Sequence, residues 1–332
     1  MLCASGTAVG KGQNMKRGKD VGKTNTTPDA AGSEKDKAVR AASAEVRRRR
    51  KRAAGAVITV LVAVLIFAAW LYGRLSGGIA EGEARFYFFD VGQGDAAAIV
   101  TRDACIVVDA GTEASEERLR LQLERAGIRR IDLAVFTHPH EDHIGGADML
   151  IENFEVGAVL MPDNKSDTLT YSRLISALQS KNIELIPAEE GYTAELGGLS
   201  LCVLFASADA TDENDMSAVV RISFGETSAI FTGDAGESAE KMILAKYPSG
   251  ELTGGILKVG HHGSSTSTCA EWAEALSPQF AVISCGAVND YGHPHDEVLR
   301  RLAALGAEIF RTDLDGTVCF VSDGRALKPM KQ

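Results

Sequence analysis

From position 84 onward the chain alternates short apolar runs with amphipathic stretches. Runs at 85–90, 96–101 and 105–109 are rich in Ala, Val, Ile and Phe and bounded by Gly or Asp, a pattern that predicts buried strands. A helical period at 115–126 follows, then an apolar strand at 131–136. Helix and strand patterns alternate through 145–153, 157–160, 172–180 and 183–186. A meander comes next, at 199–205, 218–224 and 228–231, with Gly225-Glu226 as a tight turn. A second alternating half runs over 239–246, 255–259, 270–275, 281–284, 296–305, 308–310 and 317–321. Two halves, each strands first and then helix–strand units, predict an α/β domain of two face-to-face sheets with helices outside.

A different pattern precedes this body. Residues 53–73 carry no charge and are rich in Val, Leu, Ile, Ala and Phe, long enough to cross a bilayer as a helix. The basic block Arg47-Arg48-Arg49-Arg50-Lys51-Arg52 abuts the amino end of this run, Arg74 alone follows it, and Trp70 and Tyr72 sit near its far end. The positive-inside rule then predicts a single-pass membrane protein with residues 1–52 cytoplasmic and the body extracellular. A buried core helix, or a signal peptide cleaved after Ala80 with Gly78 at −3, is the alternative reading of the same run. Residues 1–45 hold no aromatic residue and are expected to lack regular structure.

Charge sharpens the division. Residues 1–74 hold 15 Lys+Arg against 5 Asp+Glu, which leaves 20 basic and 40 acidic residues in the body. A body near −20 repels polyanions unless metal ions or a local basic patch offset it, and no basic stripe with interleaved aromatics occurs in it. Of the six cysteines, Cys3 lies in the tail, and the odd number left does not suggest a disulfide framework. Cys105, Cys202, Cys285 and Cys319 sit in strand-like runs, where cysteine acts as a small hydrophobe.

The seven histidines fall into three clusters: His138-Pro-His140-Glu-Asp142-His143, His261-His262 and His293-Pro-His295. The first is a dense array of borderline-soft metal ligands on a loop after a strand, closed by Gly145-Gly146. Lys258, three positions before His261, reads either as a neutraliser of a substrate phosphate oxygen or as a strand-end lysine. His293, after a Tyr-Gly turn, reads as a group that protonates a leaving oxygen or holds a phosphate, or as a structural turn residue. A role in supporting the ligands from behind, or in starting a helix, suffices for His262 and His295. Asp313 and Asp315 read as turn formers.

The array His138-x-His140-x-Asp142-His143-x-Gly145-Gly146 resembles the signature loop of the metallo-β-lactamase fold, a four-layer αββα hydrolase. Val108-Asp109-Ala110-Gly111, Phe231-Thr232-Gly233-Asp234 and His261 resemble its other motifs, in the same order. Phe89-Asp90-Val91-Gly92-Gln93-Gly94-Asp95-Ala96, Lys258 to Ser264 and Tyr291-Gly292-His293-Pro294 narrow the resemblance to the metallo-β-lactamase domain of ComEC-type competence proteins, over about residues 84–323. The resemblance implies one ion on His138 and His140, a second on Asp142, His143 and His261, and Asp234 as the bridge. Such a pair shares a hydroxide and clamps an in-line displacement at phosphorus. It also implies that Asp90, Gln93 and Asp95 border the site, that Asp109 orients the loop, and that Asn214 and Ser217 lie nearby. No histidine occurs between His143 and His261, where many members of the wider fold carry a further ligand.

The function expected is a membrane-anchored, extracytoplasmic metal-dependent hydrolase of phosphodiesters, with nuclease activity implied by the resemblance and Asp142, His293 and Lys258 as catalytic candidates. One or two Zn²⁺ ions fit the donor set, and so does Mn²⁺. The acidic body keeps single strands, oligonucleotides and small envelope phosphodiesters or other esters open as substrates. A metal-stabilised binding module is the alternative from another class. The sequence does not identify a protein partner.

Overall fold

A computed structural model describes residues 30–75, 78–207, 212–248, 250–253 and 255–330. The chain divides into two compact units, residues 1–70 and 71–332. One helix runs from Ala30 to Leu75, most of it in the first unit. It contains a stretch of mean hydropathy 2.0, long and apolar enough to cross a membrane, and its apolar side chains from Val57 to Phe67 are exposed. Residues 30–45, expected to lack regular structure, are helical instead. Ala, Glu, Lys and Arg there are strong helix formers, and Arg49 pairs with Glu45 at 2.8 Å one turn away. The expectations for residues 1–29, and for the side chains of Trp70 and Tyr72, lie outside the described residues.

The second unit is built on two sheets. Its strands, in chain order, are β1 (Ala84–Phe88), β2 (Ala96–Thr101), β3 (Cys105–Ala110), β4 (Arg130–Val135), β5 (Glu155–Met161) and β6 (Glu184–Pro187). Then come β7 (Thr193–Leu196), β8 (Leu199–Phe205), β9 (Val219–Phe224), β10 (Thr227–Phe231), β11 (Ile256–Lys258), β12 (Phe280–Ile283) and β13 (Glu308–Arg311). The chain ends with β14 (Val318–Ser322) and β15 (Leu327–Pro329). One sheet has the order β15-β14-β1-β2-β3-β4-β5-β6 and the other β13-β12-β11-β10-β9-β8-β7. The last two strands therefore return to the first sheet, whereas the sequence pattern groups 317–321 with the second half. Strand β15, paired antiparallel to β14, carries the sheet past residue 323.

Strand alternation explains the layers. Phe86 and Phe88 point into a core shared by both sheets, with Val135, Leu201, Val220, Phe231 and Phe320, while Tyr87 and Phe89 point to the opposite face. That opposite face is covered by helices Glu116–Arg125, Ala147–Asn153 and Leu169–Lys181, which bury Leu119, Leu150 and Leu174. Helices Glu237–Lys246, Ala270–Leu276 and Asp296–Ala304 cover the outside of the second sheet around Ile243, Trp272 and Leu302. Three apolar cores between four layers give the αββα sandwich.

Candidate metal centre

Strands β3 and β4 are parallel, as are β10, β11 and β12, and the segments that follow them meet. Backbone hydrogen bonds stitch these loops together: Ala218 N donates to Thr137 O at 2.9 Å, His261 N to Gly233 O at 3.0 Å, and Asp95 N to Asp142 O at 3.0 Å. Ligands set on strand ends and tied by backbone bonds are held by the two sheets rather than by a mobile loop.

Local backbone conformation aims the side chains. Asp109 adopts a left-handed φ of 59°, and its carboxylate accepts from Thr137 N and Thr137 Oγ1, both at 2.8 Å, which fixes the start of the histidine loop. A side chain at Gly146 would lie 2.6 Å from Ala110 O, and one at Gly145 would collide with the Glu113 backbone, so this turn needs both glycines. His261 and His262 have φ of 47° and 54°. Two successive left-handed residues without glycine are costly, and they turn both imidazoles toward the same carboxylate.

That carboxylate is Asp234, 3% exposed in its side chain, whose backbone N–H donates to Ser217 Oγ at 3.1 Å. Its Oδ1 lies 3.2 Å from His143 Nε2 and 3.8 Å from His262 Nε2. Its Oδ2 lies 3.5 Å from His261 Nε2 and 3.9 Å from His138 Nε2. Asp142 Oδ2 joins the first set, 3.1 Å from His262 Nε2 and 4.0 Å from His143 Nε2. His140 Nδ1 joins the second, 3.0 Å from His138 Nε2. Asp142, His143, Asp234 and His262 thus form one cluster with metal-ligand spacing, and His138, His140 and Asp234 another.

The remaining ring nitrogens are occupied from outside. His143 Nδ1 faces Asp109 Oδ2 at 2.9 Å, His262 Nδ1 faces the Ser284 carbonyl at 3.0 Å, and His140 Nε2 faces Glu213 Oε2 at 2.9 Å. His138 Nδ1 and His261 Nδ1 approach the hydroxyls of Thr137 and Thr266, at 3.2 and 3.3 Å. Oxygen partners of this kind fix the tautomer so that the inward nitrogen carries a lone pair for a metal ion. A cation fits the space between them: His143 Nε2 and Asp234 Oδ1 are buried and close, yet neither has a hydrogen-bond partner.

Electrostatics point the same way. Burial opposes charge on His143, but Asp234, Asp109 and Asp142 outweigh it and raise this imidazole well above its ordinary range. Burial also opposes charge on His262, which Asp234 and Asp95 nevertheless push up to about 10. His138 goes the other way, driven well below the ordinary range by burial and by the neighbouring His143 charge. Asp142 and Asp234, although buried, are held below the carboxylate range chiefly by His143 and His262.

The structure revises three expectations about the site. His262, read as a supporting residue, converges with Asp142, His143 and Asp234, while His261 faces the other oxygen of Asp234. Both histidines therefore reach the centre. Lys258, which the sequence left between a phosphate neutraliser and a strand-end lysine, is 3% exposed, with Nζ 2.7 Å from Asp95 Oδ2 and donating to Val259 O at 2.8 Å. Its charge is committed to the interior. Asp95 in turn lies 3.3 Å from His262 Nδ1; burial would raise its carboxyl, but Lys258 and His262 hold it at about 2. Asp90 lines a cleft with Arg118 and Gln122 on the outer side of the first sheet, away from the histidines, whereas Gln93 accepts from Gly286 N at 3.1 Å beside the centre.

Other placements follow the sequence reading. Asp109 orients, Ser217 supports Asp234, and Asp313 and Asp315 bind Arg311 within their turn. His293 lies next to the histidine pair, its ring 5.6 Å from His261 and 6.3 Å from His262. Burial and the His262 charge push this imidazole down to about 4, so at neutral pH it offers one hydrogen bond rather than a proton. His295 Nδ1 accepts from Ser265 N at 2.9 Å. Sequence reasoning passed over Glu213, an exposed loop acid far from His140 in the chain, which carried no local signal.

Residues 89–287 match the sequence model of the metallo-beta-lactamase superfamily. The chain is 29% identical over 273 residues to ComE operon protein 3 of Bacillus subtilis, covering 76% of this chain and 34% of that protein. It is 32% identical over 261 residues to competence protein ComA of Neisseria gonorrhoeae, covering 78% of this chain and 35% of that protein. The chain thus spans about a third of the length of these curated relatives. Among solved structures, CmlA, a diiron beta-hydroxylase from Streptomyces venezuelae, aligns with a TM-score of 0.50 at 15% identity, over 75% of this chain and 54% of that one, a likeness of fold alone.

Proposed function

Because this chain belongs to the metallo-β-lactamase superfamily, with competence proteins among its relatives, we propose that it is a metal-dependent phosphodiesterase acting on nucleic acid strands. The observation that carries this reading is Asp234: one buried carboxylate whose two oxygens face two separate sets of imidazoles. Divalent ions bound there would supply Lewis acidity and a nucleophilic water near neutral pH.

Asp142, His143 and His262 would hold one ion and His138, His140 and His261 the other, with the two oxygens of Asp234 facing the two sets. Zn²⁺ suits this His/Asp set, and Mn²⁺ suits it too. Asp109, Ser284, Glu213, Thr137 and Thr266 keep the rings in the ligating tautomer. Lys258 acts through Asp95, which steadies His262, and so has a positioning role. His293, a neutral imidazole beside His261, donates a hydrogen bond to a phosphoryl oxygen of the substrate.

The helix Ala30–Leu75, with its basic block ahead of the apolar run, supports a single membrane span with the amino end cytoplasmic and the centre outside. The acidic body supports a second reading, hydrolysis of a small phosphodiester or another ester, because a long duplex would meet repulsion.

The test uses the full chain purified in detergent. Metal content is measured alongside hydrolysis of bis(p-nitrophenyl) phosphate and of a single-stranded oligonucleotide, with and without Zn²⁺ or Mn²⁺. Metal-dependent cleavage of both, lost in Asp234→Asn, is the expected result. Cleavage of the small ester alone favours the second reading, and bound metal with neither substrate cut overturns the proposal.

A further inference from the structure

Beside the metal centre lies a ring that the chemistry above does not use. Tyr291 is 67% exposed on the segment between β12 and helix Asp296–Ala304. Its ring stacks on His293 at a centroid distance of 5.5 Å and an interplanar angle of 21°. His293 stacks in turn on His262 at 6.3 Å and 27°. The three rings form an offset column that starts at a proposed metal ligand and ends at the surface. One face of Tyr291 is covered by His293, and the exposure of the residue leaves the other to solvent.

The segment that presents Tyr291 is tied down. Asn289 Nδ2 donates to Gly286 O at 2.9 Å and to His293 O at 2.8 Å, while Asn289 Oδ1 accepts from His293 N at 2.9 Å. Gly286 N is anchored on Gln93 Oε1. Gly292, at φ 72°, makes the turn between Tyr291 and His293. An aromatic side chain held this way loses little conformational freedom when a second ring settles on it.

We propose that Tyr291 is a stacking platform for a nucleobase of the substrate strand. The inference rests on the phosphodiesterase reading and narrows its substrate to strands that carry bases. It also answers the charge problem. A body near −20 gains little by reading phosphates with cations, whereas stacking needs no charge and accepts any base. Two ring-to-ring steps, 5.5 and 6.3 Å, separate Tyr291 from His262. The stacked base therefore flanks the scissile phosphate, so an ester that carries a base is favoured over one that does not.

The experiment compares a thymidine decamer with a decamer of the same deoxyribose-phosphate backbone lacking bases, using the full chain in detergent with Mn²⁺. Wild type should show a KM roughly ten-fold lower for the thymidine strand, the size expected of one stacked base. Tyr291→Ala should erase that preference, giving the two strands equal KM values, and Tyr291→Phe should restore it. Equal KM values for the two strands in wild type overturn the platform while leaving the phosphodiesterase intact. Should neither strand be cut, the phosphodiesterase reading falls instead, and a strand carrying 2-aminopurine still decides the platform. Its fluorescence is quenched on binding wild type but not Tyr291→Ala if stacking occurs, and absence of quenching overturns the inference.

Discussion

The two oxygens of Asp234 look out on differently built surroundings. Oδ1 faces His143 and His262, whose side chains are 0% and 2% exposed, and each sets its other nitrogen against a buried oxygen. Oδ2 faces His138, equally buried, but its other neighbours are open: His261 is 25% exposed and His140 34%. The support behind His140 is Glu213, itself 68% exposed. The inner half is thus buried and charged and includes Asp142, while the outer half sits at the rim. Ligand number is similar on the two sides. Burial and outer support set them apart, and these govern how tightly an ion is held.

The largest effect expected from this contrast is between two adjacent substitutions. His262→Ala removes an inner donor and leaves the Asp95 carboxylate without one of its two cationic neighbours. Affinity for the tighter ion should fall by more than about 100-fold, beyond the 10–100-fold cost of an outer-shell partner. His261→Ala should keep one equivalent of tightly bound metal and weaken only the second. Elemental analysis after gel filtration, with circular dichroism to confirm folding, reads both variants. If His261→Ala loses the tight ion and His262→Ala keeps it, the assignment of inner and outer halves is reversed.

A second contrast is protonic. Without an ion, His143 and His262 should hold protons at neutral pH, because their nearby carboxylates raise both, whereas burial and the His143 charge lower His138. An inner ion must displace those protons, so its binding at pH 7 should release about two, and its affinity should drop by about 100-fold per pH unit on acidification. Calorimetry in buffers of different ionisation enthalpy counts the protons. The outer ion should release fewer, and equal counts for both would break the distinction. The sign for folding is opposite. An imidazole raised from 6.5 to about 10 stabilises the metal-free fold fully below pH 6.5, and that contribution fades as pH rises through about 10. Metal-free protein should therefore lose thermal stability in the alkaline range.

Much of this architecture was legible in the chain. The 131–136 run followed by the histidine array placed ligands at the end of a buried strand, as β4 bears out. Strand β7 escaped notice because it alternates between exposed and half-buried positions at a sheet edge, and β15 because only Leu327 of its three residues is buried. Within the site, the division of labour between His261 and His262 depends on two left-handed backbone residues that no spacing rule anticipates. The choice between the two readings of Lys258 was open in the chain for a related reason: its partner Asp95 comes from a distant loop, and burial of the pair is a property of the tertiary fold alone. Glu213 shows the limit most clearly, since nothing near it in sequence marks it as a neighbour of His140.

That same residue gives the smallest and most selective test of the comparison. The Glu213 carboxylate can only accept, so His140 must present an N–H at Nε2 and keep the lone pair on Nδ1, the nitrogen that faces His138. Glu213→Gln keeps size and hydrogen-bonding reach but removes the charge that favours this tautomer. Affinity for the outer ion should weaken by roughly ten-fold, the lower end of the outer-shell range. The inner ion should be untouched, because Asp109 and Ser284 support its histidines independently. Competition titration with a chromophoric chelator resolves the two sites in one experiment. A change in the inner constant would mean that the halves communicate through Asp234 and are not separately built; no change in either would leave the tautomer of His140 to the geometry of the His138-Pro-His140 turn.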